Sequence, residues 1–144
     1  MICRTGSIVY GGGAVDLAVA ARLAEKAKAV PGLPMVESVA LAMQKLPLYL
    51  AQNAGMDAPA TLQRLLRLHA LPPVSVAGDG AQSSASLGAC WYGVDPFTRS
   101  VRAMDGAQAV IEPAYTKNLQ YAMAIEAAIS IFRIDDILLC QQPA

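Results

Sequence analysis

Charge is scarce in this sequence. Of its 144 residues only 15% are Asp, Glu, Lys or Arg, and eleven basic side chains cancel eleven acidic ones. A typical soluble domain carries about 25% charged residues. A neutral chain without a basic face cannot displace counterions from phosphates, which argues against a nucleic-acid binder. Long apolar runs are missing too. None approaches the roughly 20 residues needed to cross a bilayer, so no membrane span is expected. The opening MICRTGSIVYGGG is too short and too glycine-rich in its apolar part to serve as a secretory signal. Cysteine occurs only as Cys3, Cys90 and Cys140, with no CxxC, and the single histidine, His69, has no ligand-type neighbour at helical spacing. These residues cannot supply the soft ligand set of a structural zinc site. Scattered thiols fit a reducing compartment, each acting as a small hydrophobe, and the expected location is cytoplasmic.

Apolar surface is what the chain has in abundance. Hydrophobic residues make up 55% of it. That content at zero net charge favours association, so a partner is expected. The length fits one domain of ordinary size.

Ala14 to Ala29, AVDLAVAARLAEKAKA, is rich in strong helix formers and places Val15, Val19, Leu23 and Ala27 on one stripe. Asp16 near its start and Lys26 and Lys28 near its end suit the helix dipole. Val30-Pro31-Gly32 stops it. A second helix is predicted from Pro34 to about Asn53, bent or interrupted near Leu46 by Pro47 and closed by Gly55 in a left-handed conformation. Asp57 is the candidate N-cap of a third helix, with Pro59 tolerated in its first turn. Leu62, Leu65, Leu66 and His69 share one face of it, and His69 reads as a helix-end histidine favoured by the dipole. From Leu71 to Gly88 the pattern dissolves into LPPVSVAGDGAQSSASLG, a low-complexity stretch expected to be a flexible insertion. CWYGV, DPFTRS and VRAM read as strand, turn and strand. A fourth helix runs from Pro113 to about Phe132, with Tyr115, Leu119, Met123 and Phe132 near one face, and IDDILLC reads as a C-terminal strand. The fold class is mainly α with a little β.

Five segments in order carry more information than any one alone: YGGGAVDLAVAARL, PLYLAQNAGMDAPATLQRLLRLHA, WYGVDPFTRSV, AVIEPAYTKNLQ and AIEAAISIFRIDDILL. GGGA, LAQNAG, GVD, IEPxxxK and RIDD at these spacings resemble the C-terminal half of the equatorial domain of a group II chaperonin subunit, the family of the archaeal thermosome and the eukaryotic cytosolic chaperonin TRiC/CCT. The resemblance extends from Val9 to Leu139 apart from the Leu71–Gly88 stretch. It implies a helical equatorial-domain fragment, residues 1–144, with a small β stem-loop and a C-terminal strand. It also implies a part in an ATP-driven, double-ring folding machine, with other chaperonin subunits as partners and unfolded clients held by an apical domain.

Carried over position by position, the resemblance makes Gly11, Gly12 and Gly13 the glycine turn against the nucleotide, with Gly12 the foremost contact. Val94 and Asp95 become the adenine side, Glu112 the acceptor for the ribose hydroxyls, and Lys117 a lysine close to the nucleotide. The chemistry is compatible. Glycines admit close approach of a flat group, the turn opens into a helix N-terminus, and a carboxylate accepts from a diol. Read without the resemblance, the turn is foremost a plain start to a helix, and Glu112 and Lys117 are solvated charges. No GK[ST] follows the turn, so it is not a Walker loop. The family's Gly-Asp-Gly-Thr-Thr phosphate loop and its magnesium and catalytic aspartates have no counterpart here. The expected ligand is therefore the adenosine part of ATP or ADP, magnesium being held by family parts not found in this sequence, and no hydrolysis is expected from these residues alone. Asp135 and Asp136 read as strand-edge charges. The alternatives are a short non-hydrolysing chaperonin-like adaptor and a helical interaction module.

Overall fold

The computed structural model describes residues 6–30, 34–70, 91–105 and 108–135. The elements are β1 (Ile8–Tyr10), α1 (Ala14–Ala29), α2 (Pro34–Met43), α3 (Lys45–Asn53), α4 (Ala58–His69), β2 (Tyr92–Asp95), β3 (Ser100–Ala103), β4 (Ile111–Pro113) and α5 (Ala114–Phe132). The architecture is mainly helical with short strands. It divides into two compact units, Val9–Ile111 and the smaller Met1–Ile8 with Glu112–Ala144. The proposed insertion at 71–88, the cysteines and all but the first two residues of the predicted strand at 134–140 lie outside the described residues.

In the larger unit α1 begins after Gly13, which takes φ 80, and ends at Val30, whose N–H returns to the Lys26 carbonyl. Its deepest side is Ala14, Leu17 and Ala20, while the predicted stripe of Val15, Val19, Leu23 and Ala27 is only half-buried. Leu17 enters the core beside Ala51, Ala58, Leu65 and Val94, and the small Ala14 and Ala20 share its side of the helix. Helices approach most closely where residues are small, and α1 makes its most extensive contact with α2, which buries Ala40.

The predicted long helix is two helices, and the break comes earlier than expected, at Gln44 instead of near Leu46. Pro47 has no N–H for the Met43 carbonyl four residues back, and its ring would strike that oxygen. The chain therefore ends α2 at Met43 and restarts, leaving Pro47 in the first turn of α3, where a missing donor is harmless. The end of α3 is a Schellman motif: Gly55 N–H bonds the Gln52 carbonyl at 2.9 Å and Met56 N–H bonds Ala51 at 3.0 Å, with Gly55 at φ 71.

Asp57 caps α4, accepting from Ala60 N–H at 3.1 Å, and the Thr61 hydroxyl donates to the Asp57 carbonyl. The buried face of α4 is Ala58, Thr61 and Leu65; Leu66 is exposed, against expectation. His69 stands in the last turn of α4, as expected, and bonds across to β2. Its Nε2–H donates to the Tyr92 carbonyl at 2.8 Å, its Nδ1 is buried with no partner among the described residues, and burial lowers its pKa against the raising effect of that bond.

β2 and β3 form the expected antiparallel hairpin, Tyr92 opposite Ala103 and Asp95 opposite Ser100. A second two-stranded sheet, β1 with β4, was not anticipated. Its strands are too short for alternation to show, although SIVY and AVI carry β-branched residues. Beside it, Gly11 N–H bonds Val110 within the larger unit and Ala114 N–H bonds Ser7 within the smaller.

The core of the larger unit gathers Leu17, Ala51, Ala58, Leu65 and Val94, one or more from each of α1, α3, α4 and β2, with Leu48, Leu50, Met56, Leu62, Tyr92 and Val101 packed against them. In the smaller unit, α5 runs as predicted, but none of its nineteen residues, all described, is buried. Tyr115, Leu119, Met123, Ile125, Ile129, Ile131 and Phe132 are exposed.

Two outcomes follow for chemical denaturation. Leu65→Ala, which empties a fully buried site, lowers the unfolding free energy by about 2–5 kcal/mol. Arg99, in the hairpin turn at φ 50, is a non-glycine residue in the left-handed region, and Arg99→Gly raises stability by about 1 kcal/mol.

Candidate functional site

The glycine turn lies between β1 and α1 and against the hairpin. Val94 N–H donates to the Gly12 carbonyl at 2.8 Å, and Ala14 N–H to Gly11 at 3.2 Å. Gly12 and Gly13 take φ 64 and φ 80. A Cβ on Gly12 would stand 2.7 Å from Met104 Cε and 2.8 Å from the Val94 carbonyl oxygen, and one on Gly13 would stand 2.6 Å from Pro47 Cβ. The space that these glycines vacate is thus filled by the protein. Sequence reasoning reserved it for a ligand; its first use is close packing of chain on chain.

Gly93, passed over as a single residue in the sequence, completes that contact: a Cβ there would meet the Gly12 carbonyl oxygen at 2.7 Å. Beyond it, Asp95 is 4% exposed, and both its oxygens have partners. Oδ1 accepts from the N–H groups of Phe97 at 2.9 Å and Thr98 at 3.4 Å; Oδ2 accepts from Arg102 Nε at 2.7 Å. The Arg102 guanidinium, followed by these N–H donors and Thr98, outweighs burial and holds the carboxyl down at about 2. Asp95 is therefore an ionised, internally satisfied group that shapes the turn.

A cavity of about 600 Å³ opens in the larger unit between Gly12, Leu50, Val94–Thr98, Arg102, Gln108 and Val110. It falls within the roughly 300–1,000 Å³ range of small-molecule sites. Gly12, Val94 and Asp95 meet there, while Gly11 and Gly13 belong to the turn behind. At the turn's margin Tyr10 and Trp91 pack with ring centroids 5.7 Å apart.

The other two predicted residues lie in the smaller unit. Glu112 in β4 and Lys117 in the first turns of α5 form an ion pair, Nζ to Oε2 at 3.3 Å, and Lys117 sits 5.9 Å from the centre of the Tyr121 ring. The pair spans one helical turn from the strand end, the geometry that the IEPxxxK spacing provides. Arg102, Pro96, Phe97 and Thr98 were not singled out from sequence. The legible signal for Arg102 was its register: opposite Gly93, it stands diagonal to Asp95 on the same face of the ribbon, within reach of a long side chain.

Residues 1–142 match the TCP-1/cpn60 chaperonin family, and the chain belongs to that family. It is similar to a thermosome subunit of Pyrococcus abyssi, 32% identical over 143 residues, covering 98% of this chain and 23% of the relative. It is similar also to a thermosome subunit beta of Aeropyrum pernix, 37% identical over 135 residues, covering 92% of this chain and 22% of the relative. Among solved structures it resembles the open-state monomer of a group II chaperonin from Methanococcoides burtonii, with a TM-score of 0.73 at 29% identity over 90% of this chain and 28% of the other. The chain spans less than a quarter of the length of these thermosome subunits.

The Asp95 environment predicts a pH dependence. Its folded pKa, about 2, lies below the ordinary 3.8. Its stabilising contribution is therefore complete above pH 4 and is lost as the pH falls from 4 through 2. Denaturation measured across that interval shows a decline in stability, and Asp95→Asn flattens it.

Proposed function

We propose that this chain contributes the adenosine side of a chaperonin nucleotide site and acts in ATP-dependent protein folding, in the cytoplasm, within a double ring of chaperonin subunits. The observation that carries the reading is the convergence of Gly12, Val94 and Asp95 on one cavity of nucleoside size. Its walls, Leu50, Val94, Pro96, Phe97 and Val110, are apolar and suit the faces of a heterocyclic base. Glu112 and Lys117 are proposed separately, the first as acceptor for ribose hydroxyls and the second as the cation beside it. The support is chemical: a carboxylate oxygen bonded to one lysine keeps acceptor capacity for a diol.

The sequence holds no Gly-Asp-Gly-Thr-Thr loop, so adenosine is the ligand to test, and ATP turnover is not assigned to these residues. Association with further subunits is supported by family membership and by the exposed apolar side chains of α5. Clients are assigned to the apical domain of such an assembly.

Calorimetric titration tests the nucleoside reading. The chain binds adenosine through the cavity of the larger unit, and absence of adenosine binding refutes the site. For assembly, an antibody to the C-terminal peptide detects the protein in a megadalton-scale particle on native gels of cell lysate; migration only as a free small species refutes ring membership.

A further inference from the structure

The Arg102 guanidinium lies where three parts of the cavity wall meet. Nε donates to Asp95 Oδ2 at 2.7 Å, Nη2 to the Gln108 carbonyl at 2.6 Å, and Nη1 to the Ala103 carbonyl at 3.4 Å. Its side chain is 25% exposed and that of Asp95 4%. The other carboxylate oxygen of Asp95 holds the N–H groups of Phe97 and Thr98. A continuous set of bonds thus runs from the segment at 108, through one guanidinium and one carboxylate, to the turn at 96–98. All of these residues except Ala103 line the cavity.

Phe97 itself is 95% exposed, so no apolar packing fixes that turn. Besides a 2.8 Å hydroxyl bond between Thr98 and Ser100, its place in the wall rests on Asp95, and the burial of a carboxylate rests in turn on its cation, since an unpaired buried charge is strongly destabilising. Arg99 at φ 50 adds a strained residue to the same turn.

We infer that Arg102 is the positioning residue of this cavity: by fixing the Asp95 carboxylate it holds the 96–98 wall in a preformed, charge-compensated shape that receives an uncharged heterocyclic base. The inference deepens the nucleoside reading and, for the ligand, rests on it. Arg102 makes no contact with the base. It acts through Asp95, whose oxygens face the turn and the guanidinium, so the cavity selects a base by shape and apolar contact more than by a bond to this carboxylate.

The test uses the full chain with two readouts, adenosine affinity by calorimetry and amide hydrogen exchange at Phe97 and Thr98. Arg102→Met speeds exchange at both amides and weakens adenosine binding, each by roughly tenfold, as expected for loss of a charged hydrogen bond. Asp95→Asn added to that variant restores slow exchange and affinity, because an amide oxygen still accepts from the turn and needs no cation. Unchanged exchange in Arg102→Met overturns the inference. So does faster exchange that Asp95→Asn fails to restore, which marks Arg102 as packing alone. If the wild-type chain does not bind adenosine while the exchange effects appear, the positioning role stands and the nucleoside reading falls. If Arg102→Met does not fold, Arg102→Lys, which keeps the charge but not the fork, is measured instead. Partial acceleration supports the inference and none overturns it.

Discussion

The larger unit depends on one close approach of backbone to backbone, where the Gly12 carbonyl accepts from Val94 N–H and lies against the Cα of Gly93. Neither chain can carry a side chain at that point. The turn before α1 and the first residues of β2 are therefore held at a separation that only glycine permits. The core is consistent with this: Val94, the residue that makes the bond, is also the hairpin's contribution to the cluster of Leu17, Ala51, Ala58 and Leu65. Pro47, which divides α2 from α3, closes the other side of the turn at Gly13.

Few charges are available to this chain, and several are directed inward. Asp95 and Arg102 neutralise one another beside the cavity, and Glu112 and Lys117 do so in the smaller unit. Paired charges of this kind fix geometry more than they add stability, because desolvation offsets much of their attraction. Within the larger unit the ion pair gives shape to a hairpin turn that has little apolar support. The apolar excess is on the outside of α5, consistent with a chain that associates.

Much of the helical fold was legible because local signals agreed. Asp57 and Pro59 mark the start of α4, Gly55 the end of α3, and the alanine-rich run of α1 has few competing conformations. The break at Gln44 was displaced because the constraint imposed by Pro47 acts four residues upstream, on Met43, and not at the proline itself. Strands β1 and β4 were hidden because three-residue pairings are specified by their partners more than by periodicity. For the site, ordered motifs identified Gly12, Val94 and Asp95, which meet at the cavity, and the pair Glu112 and Lys117, which meet each other. They gave no sign that the glycines serve chain packing first, nor that the His69 ring bonds the Tyr92 carbonyl, since both depend on contacts distant in sequence.

The same backbone contact has a mechanical meaning. The hairpin that walls the cavity is tied to the residue pair preceding α1, and α1 is an unbroken rod of 16 residues, roughly 24 Å long at 1.5 Å per residue. Gly12 meets Val94 of the hairpin and Gly13 meets Pro47 of α3 with no side chain between, so the joint that opens the rod is packed from two sides.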